Sequence, residues 1–162
     1  DRSPFNGKYY QLAEPINSPP PLSKPHPPIM IGGGGEKKTL RLVAEYGDAC
    51  NFTLGTTLKE AGVLLYIGEN FEKSGDRLRH KLAVLRQHCD DVGRPYSDIE
   101  KTAGTYVRLA PDAMSSTDIV KICRFLNDLG IQRVGFCVSN VHEIKPLEII
   151  GKEVIPVVAD LK

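Results

Sequence analysis

The chain has 162 residues, 41% of them hydrophobic and 25% charged, with 21 basic against 20 acidic side chains. That is an ordinary globular composition with enough apolar residues for a buried core, and it argues against intrinsic disorder, which takes low hydrophobicity and a large net charge. A formal charge of +1 leaves no electrostatic footprint for nucleic acid or an anionic membrane surface, and no apolar run approaches the roughly 20 residues of a membrane-spanning helix.

The chain opens Asp1-Arg2-Ser3-Pro4-Phe5, with no initiator Met and no signal-peptide pattern, and reads as if entered in mid-sequence. Residues 1–28 are expected to be a connector. Seven of the 12 prolines fall between Pro15 and Pro28, and proline fixes φ and removes a backbone donor, so this stretch should be extended and outside any central strand. The alternation around Tyr10 and Leu12 suggests a short strand or hairpin arm.

Residues 29–162 are expected to form the folded domain. Ile29-Met30-Ile31 is a short apolar strand that runs into Gly32-Gly33-Gly34-Gly35. A helical period follows from Glu36 to Tyr46, with Leu40, Val43, Ala44 and Gly47 on one face, and Ala49–Thr53 reads as a second strand. Strand, glycine turn, helix, strand is a βαβ unit. The apolar but irregular stretch Thr57–Gly68 suggests a helix within an insertion.

A strong amphipathic helix is predicted over Asp76–Val92, from Leu78, Leu82, Leu85, Cys89 and Val92 at steps of four and three, with Gly93 as its stop. Its arginines read as a solvated face. Lys101–Ala110 is the third strand. Ser116 or Thr117 is expected to cap a helix carrying Ile119, Ile122, Cys123, Leu126 and Leu129, closed by Gly130. Val134–Val138 is the fourth strand, so apolar that both faces should be covered. A last helix over Leu147–Leu161 should kink at Pro156. The alternation implies a parallel sheet with right-handed crossovers, either open and three-layered or half of a closed barrel.

Cys50, Cys89, Cys123 and Cys137 are scattered, without a C-x-x-C pair, and read as buried, inert thiols of a reducing compartment. The four histidines make no metal-ligand spacing, so no metal site is expected.

One element carries chemistry. Glycines after a strand let the backbone approach a ligand closely, and the helix behind them presents unpaired N–H groups and the positive end of its dipole. Gly33, Gly34, Gly35, Lys38 and Thr39 thus suit a phosphate, although Glu36 is awkward for an anion. The spacing is neither a P-loop nor G-x-G-x-x-G, and a plain turn for tight strand–helix packing remains the alternative. Asp48 reads as a turn or capping residue, and Asn51 matters only if its side chain points to the ligand end of its strand.

The run from Pro27 to Ala44, the following Tyr46-Gly47-Asp48-Ala49-Cys50-Asn51, the stretch Lys81–Pro95 and the leading Phe5-Asn6-Gly7-Lys8-Tyr9-Tyr10 together resemble the bacterial-luciferase-like monooxygenase family, in its class using the deazaflavin coenzyme F-420. The resemblance implies the C-terminal half of a (β/α)8 barrel: Ile29–Ile31 as fifth strand, Asn51 on the sixth, Lys101–Leu109 as seventh and Val134–Val138 as eighth. It implies an oxidoreductase, by hydride transfer or monooxygenation, acting on a small organic substrate. Its cofactor would be coenzyme F-420, or alternatively FMN, with the phosphate on Gly33, Gly34, Gly35, Lys38 and Thr39, and with Asn51 near the ring. A complete barrel takes about 250 residues. The chain is therefore expected to be a fragment, inactive by itself, with its catalytic residues on the first four strands. The intact protein is expected to be a cytoplasmic homodimer with no nucleic-acid or membrane partner. Leu54–Ser74, longer than the loop of many relatives, reads as a lid, a pocket element or a peripheral helix. Two other readings stand beside this one: a self-pairing half-barrel that binds a phosphorylated ligand, and an open Rossmann- or flavodoxin-like module.

Overall fold

The structure, a computed structural model, describes residues 3–53, 58–59, 62–63 and 71–161. Near the N-terminus β1 (Phe5–Asn6) and β2 (Gln11–Leu12) pair antiparallel, and Gly7 N donates to Tyr10 O at 2.9 Å to close their turn. This is the hairpin arm suggested around Tyr10 and Leu12. Its Phe5, Tyr9, Tyr10 and Leu12 are all exposed, so the arm adds nothing to the core. No helix or strand follows before Met30.

The main sheet takes β3 (Met30–Gly32), β4 (Ala49–Thr53), β7 (Glu100–Val107) and β8 (Arg133–Val138) in that order, every neighbouring pair parallel. Between β4 and β7 lie a two-stranded antiparallel pair, β5 (Leu58–Lys59) and β6 (Gly62–Val63), and the helix α2 (Phe71–Val92). The other crossovers carry α1 (Thr39–Tyr46) and α3 (Ser116–Asp128). After β8 come α4 (Lys145–Ile149), a π turn over Ile150–Val154, and α5 (Ile155–Val158).

Sheet order equals chain order, without a reversal. Right-handed crossovers then put every helix on the same side, whereas a doubly wound sheet needs a point where the order turns back. The open Rossmann- or flavodoxin-like reading is corrected on that ground. Pleating agrees. On the helix side Cys50, Phe52, Ala103 and Val107 are buried, while on the other side Thr53, Tyr106, Arg133 and Cys137 are exposed. Alternate residues of a strand face opposite sides, so these two sets belong to two faces.

Several sequence expectations change here. The fourth strand is open on one face, with Arg133, Gly135 and Cys137 exposed and Val134, Phe136 and Val138 packed on the core. Cys50, Cys89 and Cys123 are buried as expected, but Cys137 is not. The helix expected from Glu36 starts at Thr39, because Glu36-Lys37-Lys38 forms a turn and Lys38, at the N-cap, has no side-chain acceptor for the first N–H groups. The long helix begins at Phe71 instead of Asp76, and its Leu78, Leu82, Leu85 and Cys89 are buried as the spacing requires. Where a helix was expected within Thr57–Gly68, the described residues are the β5–β6 pair. The remainder of that stretch, and residues 54–57 and 69–70, lie outside the described residues.

The cap of α3 is Ser115, neither Ser116 nor Thr117. Ser115 Oγ accepts from Asp118 N at 3.3 Å, and the Asp118 carboxylate accepts from Ser115 N at 3.1 Å, a reciprocal box completed by the acceptor side chain three residues on. The Ser116 hydroxyl instead donates to Glu153 at 2.6 Å. The single last helix becomes α4, π turn and α5. Proline has no N–H and its ring crowds the carbonyl four residues back, so the helix widens just before Pro156.

Candidate functional site

The glycine turn leaves the C-terminal end of β3. Gly32 sits beside Asn51 in the ladder, and Gly33 N donates to Asn51 O at 3.0 Å, the last bond before the chain turns away. Gly33 has φ +114°, which only glycine adopts without strain. A Cβ on Gly35 would lie 2.8 Å from Thr39 Oγ1, so a side chain there would displace the hydroxyl. Gly35 O accepts from Leu40 N at 3.0 Å and folds the turn back onto the start of α1. Among the described residues none accepts from the N–H of Gly34 or Gly35. Two free amides, the Thr39 hydroxyl and the N-terminal end of α1 therefore share one small region.

Of the expected residues, Gly33, Gly34, Gly35 and Thr39 come together directly. Lys38 is exposed at the N-cap of α1. Asn51 touches the turn through its carbonyl, while its side chain lies on the open face of the sheet, 2.8 Å from Thr102 Oγ1. Thr102, buried on β7, shares its one hydroxyl proton between Asn51 Oδ1 and Cys50 O, the latter at 2.9 Å. Gly104 lies alongside: a Cβ there would meet the Asn51 amide at 3.6 Å. Thr102 escaped the sequence reading because a threonine in a strand carries no motif.

A second residue missed by the sequence is Lys81 of α2. Its ammonium donates to Gly34 O and lies 3.7 Å from the Glu36 carboxylate. A Cβ on Gly34 would meet Lys81 Nζ at 2.9 Å. His80 Nε2 is 3.4 Å from the same carboxylate, and His88 Nε2 donates to Glu36 O at 2.8 Å. Three side chains of α2, His80, Lys81 and His88, are thus committed to the turn.

Asp48 is structural, at the opposite end of β4. Its carboxylate accepts from Ile29 N at 2.7 Å and lies 3.9 Å from Arg94. Behind the sheet, Lys101 Nζ and the Arg86 guanidinium each lie over the Tyr96 ring, 4.6 Å and 4.4 Å from its centre. Burial pushes the Lys101 ammonium down and the Tyr96 phenol up, and it raises the Cys50 thiol to about 11. These groups lie away from the open face.

A cavity of about 520 Å³ lies beyond the ends of β7 and β8, between α3 and α4, lined by Leu109, Met114, Asp118, Glu143, Lys145 and Glu153 among others. Three carboxylates against one lysine disfavour an anion there. Among the described residues no cluster of histidine, cysteine, aspartate or glutamate could hold a metal ion, and no helix is long and apolar enough to cross a membrane.

No family model and no curated protein matches the chain. Solved structures do, and two of them are described here. One is an F-420-dependent secondary alcohol dehydrogenase in complex with an F-420–acetone adduct, with TM-score 0.72 and 16% identity over 97% of this chain and 56% of that one. The other is the coenzyme F-420-dependent tetrahydromethanopterin reductase from Methanopyrus kandleri, with TM-score 0.57 and 13% identity over 80% of this chain and 50% of that one. The chain spans about half the length of each of these two structures. At such identities the likeness establishes the fold, and that fold, four successive parallel (β/α) units forming half of a (β/α)8 barrel, is the one this chain shares with coenzyme F-420-dependent enzymes.

Proposed function

We propose that the chain supplies the cofactor-phosphate site of an F-420-dependent oxidoreductase, in which hydride passes between the deazaflavin and a small organic substrate. The observation that carries this reading is the turn at Gly33–Thr39, with two free amides and a hydroxyl at the C-terminal end of the sheet, the end where barrel enzymes of this architecture place their ligands. The residues fit a phosphate: φ +114° at Gly33 and the approach of Thr39 to Gly35 exclude larger side chains and keep the amides bare.

Coenzyme F-420, when bound, supplies the hydride chemistry. The chain's own residues bind and orient. Gly34 and Gly35 N–H and the Thr39 hydroxyl donate to phosphate oxygens, the α1 dipole adds about 0.3–1 kcal/mol, and Lys38 contributes nearby positive charge. Asn51, fixed by Thr102 on the open face, presents a polar group to the ring. The two structures described above are both named for F-420, and FMN gains no support from either.

The test is F-420 fluorescence titration of the chain joined to the N-terminal half of the matched alcohol dehydrogenase. Saturable quenching is expected, weakened about tenfold or more in Gly35→Val, whose side chain displaces Thr39. A titration without quenching by the joined, folded protein overturns the reading.

A further inference from the structure

We infer that Lys81 is a positioning residue of the glycine turn, which, with His80, draws the Glu36 carboxylate onto α2 and so removes its repulsion from a bound phosphate. The inference rests on the reading that Gly33–Thr39 takes a phosphate.

Glu36 is the anomaly of the turn. A carboxylate one residue from two phosphate-binding amides opposes an anion at close range, where solvent screening is least effective. The structure resolves the conflict from outside the motif. Glu36 Oε1 lies 3.7 Å from Lys81 Nζ, and Glu36 Oε2 lies 3.4 Å from His80 Nε2, so both carboxylate oxygens face α2. Lys81 Nζ also donates to Gly34 O, which anchors the ammonium at the turn itself. His88 Nε2 donates to Glu36 O at 2.8 Å and fixes the backbone of the same residue. Lys81 is the less exposed member of its ion pair, with 31% side-chain exposure against 45% for Glu36. Its charge is therefore the better screened from water, which makes it more effective in holding the carboxylate. A Cβ on Gly34 would meet the Lys81 ammonium at 2.9 Å, so a side chain there would push the ammonium away from the turn.

A direct phosphate ligand and a positioning residue respond differently to a second substitution. Inorganic phosphate is titrated into the full chain, read by the amide ¹H–¹⁵N shifts of Gly33, Gly34 and Gly35. Lys81→Met is expected to weaken phosphate binding about tenfold, and adding Glu36→Gln is expected to bring it back to within about threefold of the unsubstituted chain. Lys81→Arg, which keeps charge and reach, is expected to bind as the unsubstituted chain does. Should Lys81→Met not fold, Glu36→Asp serves instead: it keeps Lys81, shortens the acid so that it no longer reaches α2, and is expected to weaken binding where Glu36→Gln does not. Failure of Glu36→Gln to restore Lys81→Met overturns the inference in favour of direct contact. So does unchanged binding in Lys81→Met or in Glu36→Asp, or the absence of any phosphate shift at these amides. Phosphate shifts in a protein that does not quench F-420 fluorescence defeat the cofactor reading and leave this inference standing.

Discussion

At the scale of single residues, burial separates the four thiols. Cys137, exposed on β8, is expected to be the one that reacts readily with a thiol reagent at pH 8, while Cys50, Cys89 and Cys123 react only on unfolding, as counted by mass spectrometry. Burial raises the Cys50 thiol from its ordinary value of 9.0 to about 11. The folded chain then keeps a proton that the unfolded chain releases, so stability from Cys50 is complete below pH 9 and lost as pH rises towards 11. The loss is about 2–3 kcal/mol at the top of that window, read as a falling urea midpoint and flattened in Cys50→Ala. The glycine turn was legible in the sequence because its residues are contiguous. Lys81 and Thr102 were not, since they meet Gly34 and Asn51 across 47 and 51 positions, and nothing local marks a lysine on a helix or a threonine in a strand as a partner.

Elements show the same division between local pattern and distant contact. The core face of α2 followed from its spacing, because burying Leu78, Leu82, Leu85 and Cys89 demands a helical period. The boundaries did not follow, since caps depend on one or two hydrogen bonds. At α3, three successive hydroxyl residues, Ser115, Ser116 and Thr117, compete for the cap, and the acid at Asp118 decides in favour of Ser115. Ser115→Ala is therefore expected to cost about 1 kcal/mol, and Ser116→Ala less, as measured by urea denaturation. The Ser115 hydrogen bonds hold the Asp118 carboxyl below its ordinary range. That contribution is complete above the ordinary carboxylate range and is lost as pH falls from there through the lowered folded value, so the Ser115→Ala penalty should shrink in acid.

For the whole molecule, alternation of strands and helices was legible but sheet order was not, because right-handed crossovers fit both an open sheet and half a barrel. The unreversed order β3-β4-β7-β8 decides it. It also leaves β3 and β8, among the described residues, each paired on one side only, next to an open face carrying Met30, Tyr106 and Cys137. Unpaired edges invite pairing with another chain. The chain by itself is expected to self-associate in sedimentation experiments, and Met30→Lys, on the exposed face of an edge strand, is expected to reduce that association. A monomer at all concentrations contradicts this.

The glycine turn grows out of β3, and β3 is an edge strand. Any strand that pairs with that edge therefore braces the turn, and any anion seated in the turn stiffens the edge the strand must find. Thermodynamic reciprocity then requires assembly and loading to favour each other by the same factor. On the function proposed above, the intact protein would resist splitting when its cofactor is in place, and would lose cofactor first wherever this chain begins to part from its complement.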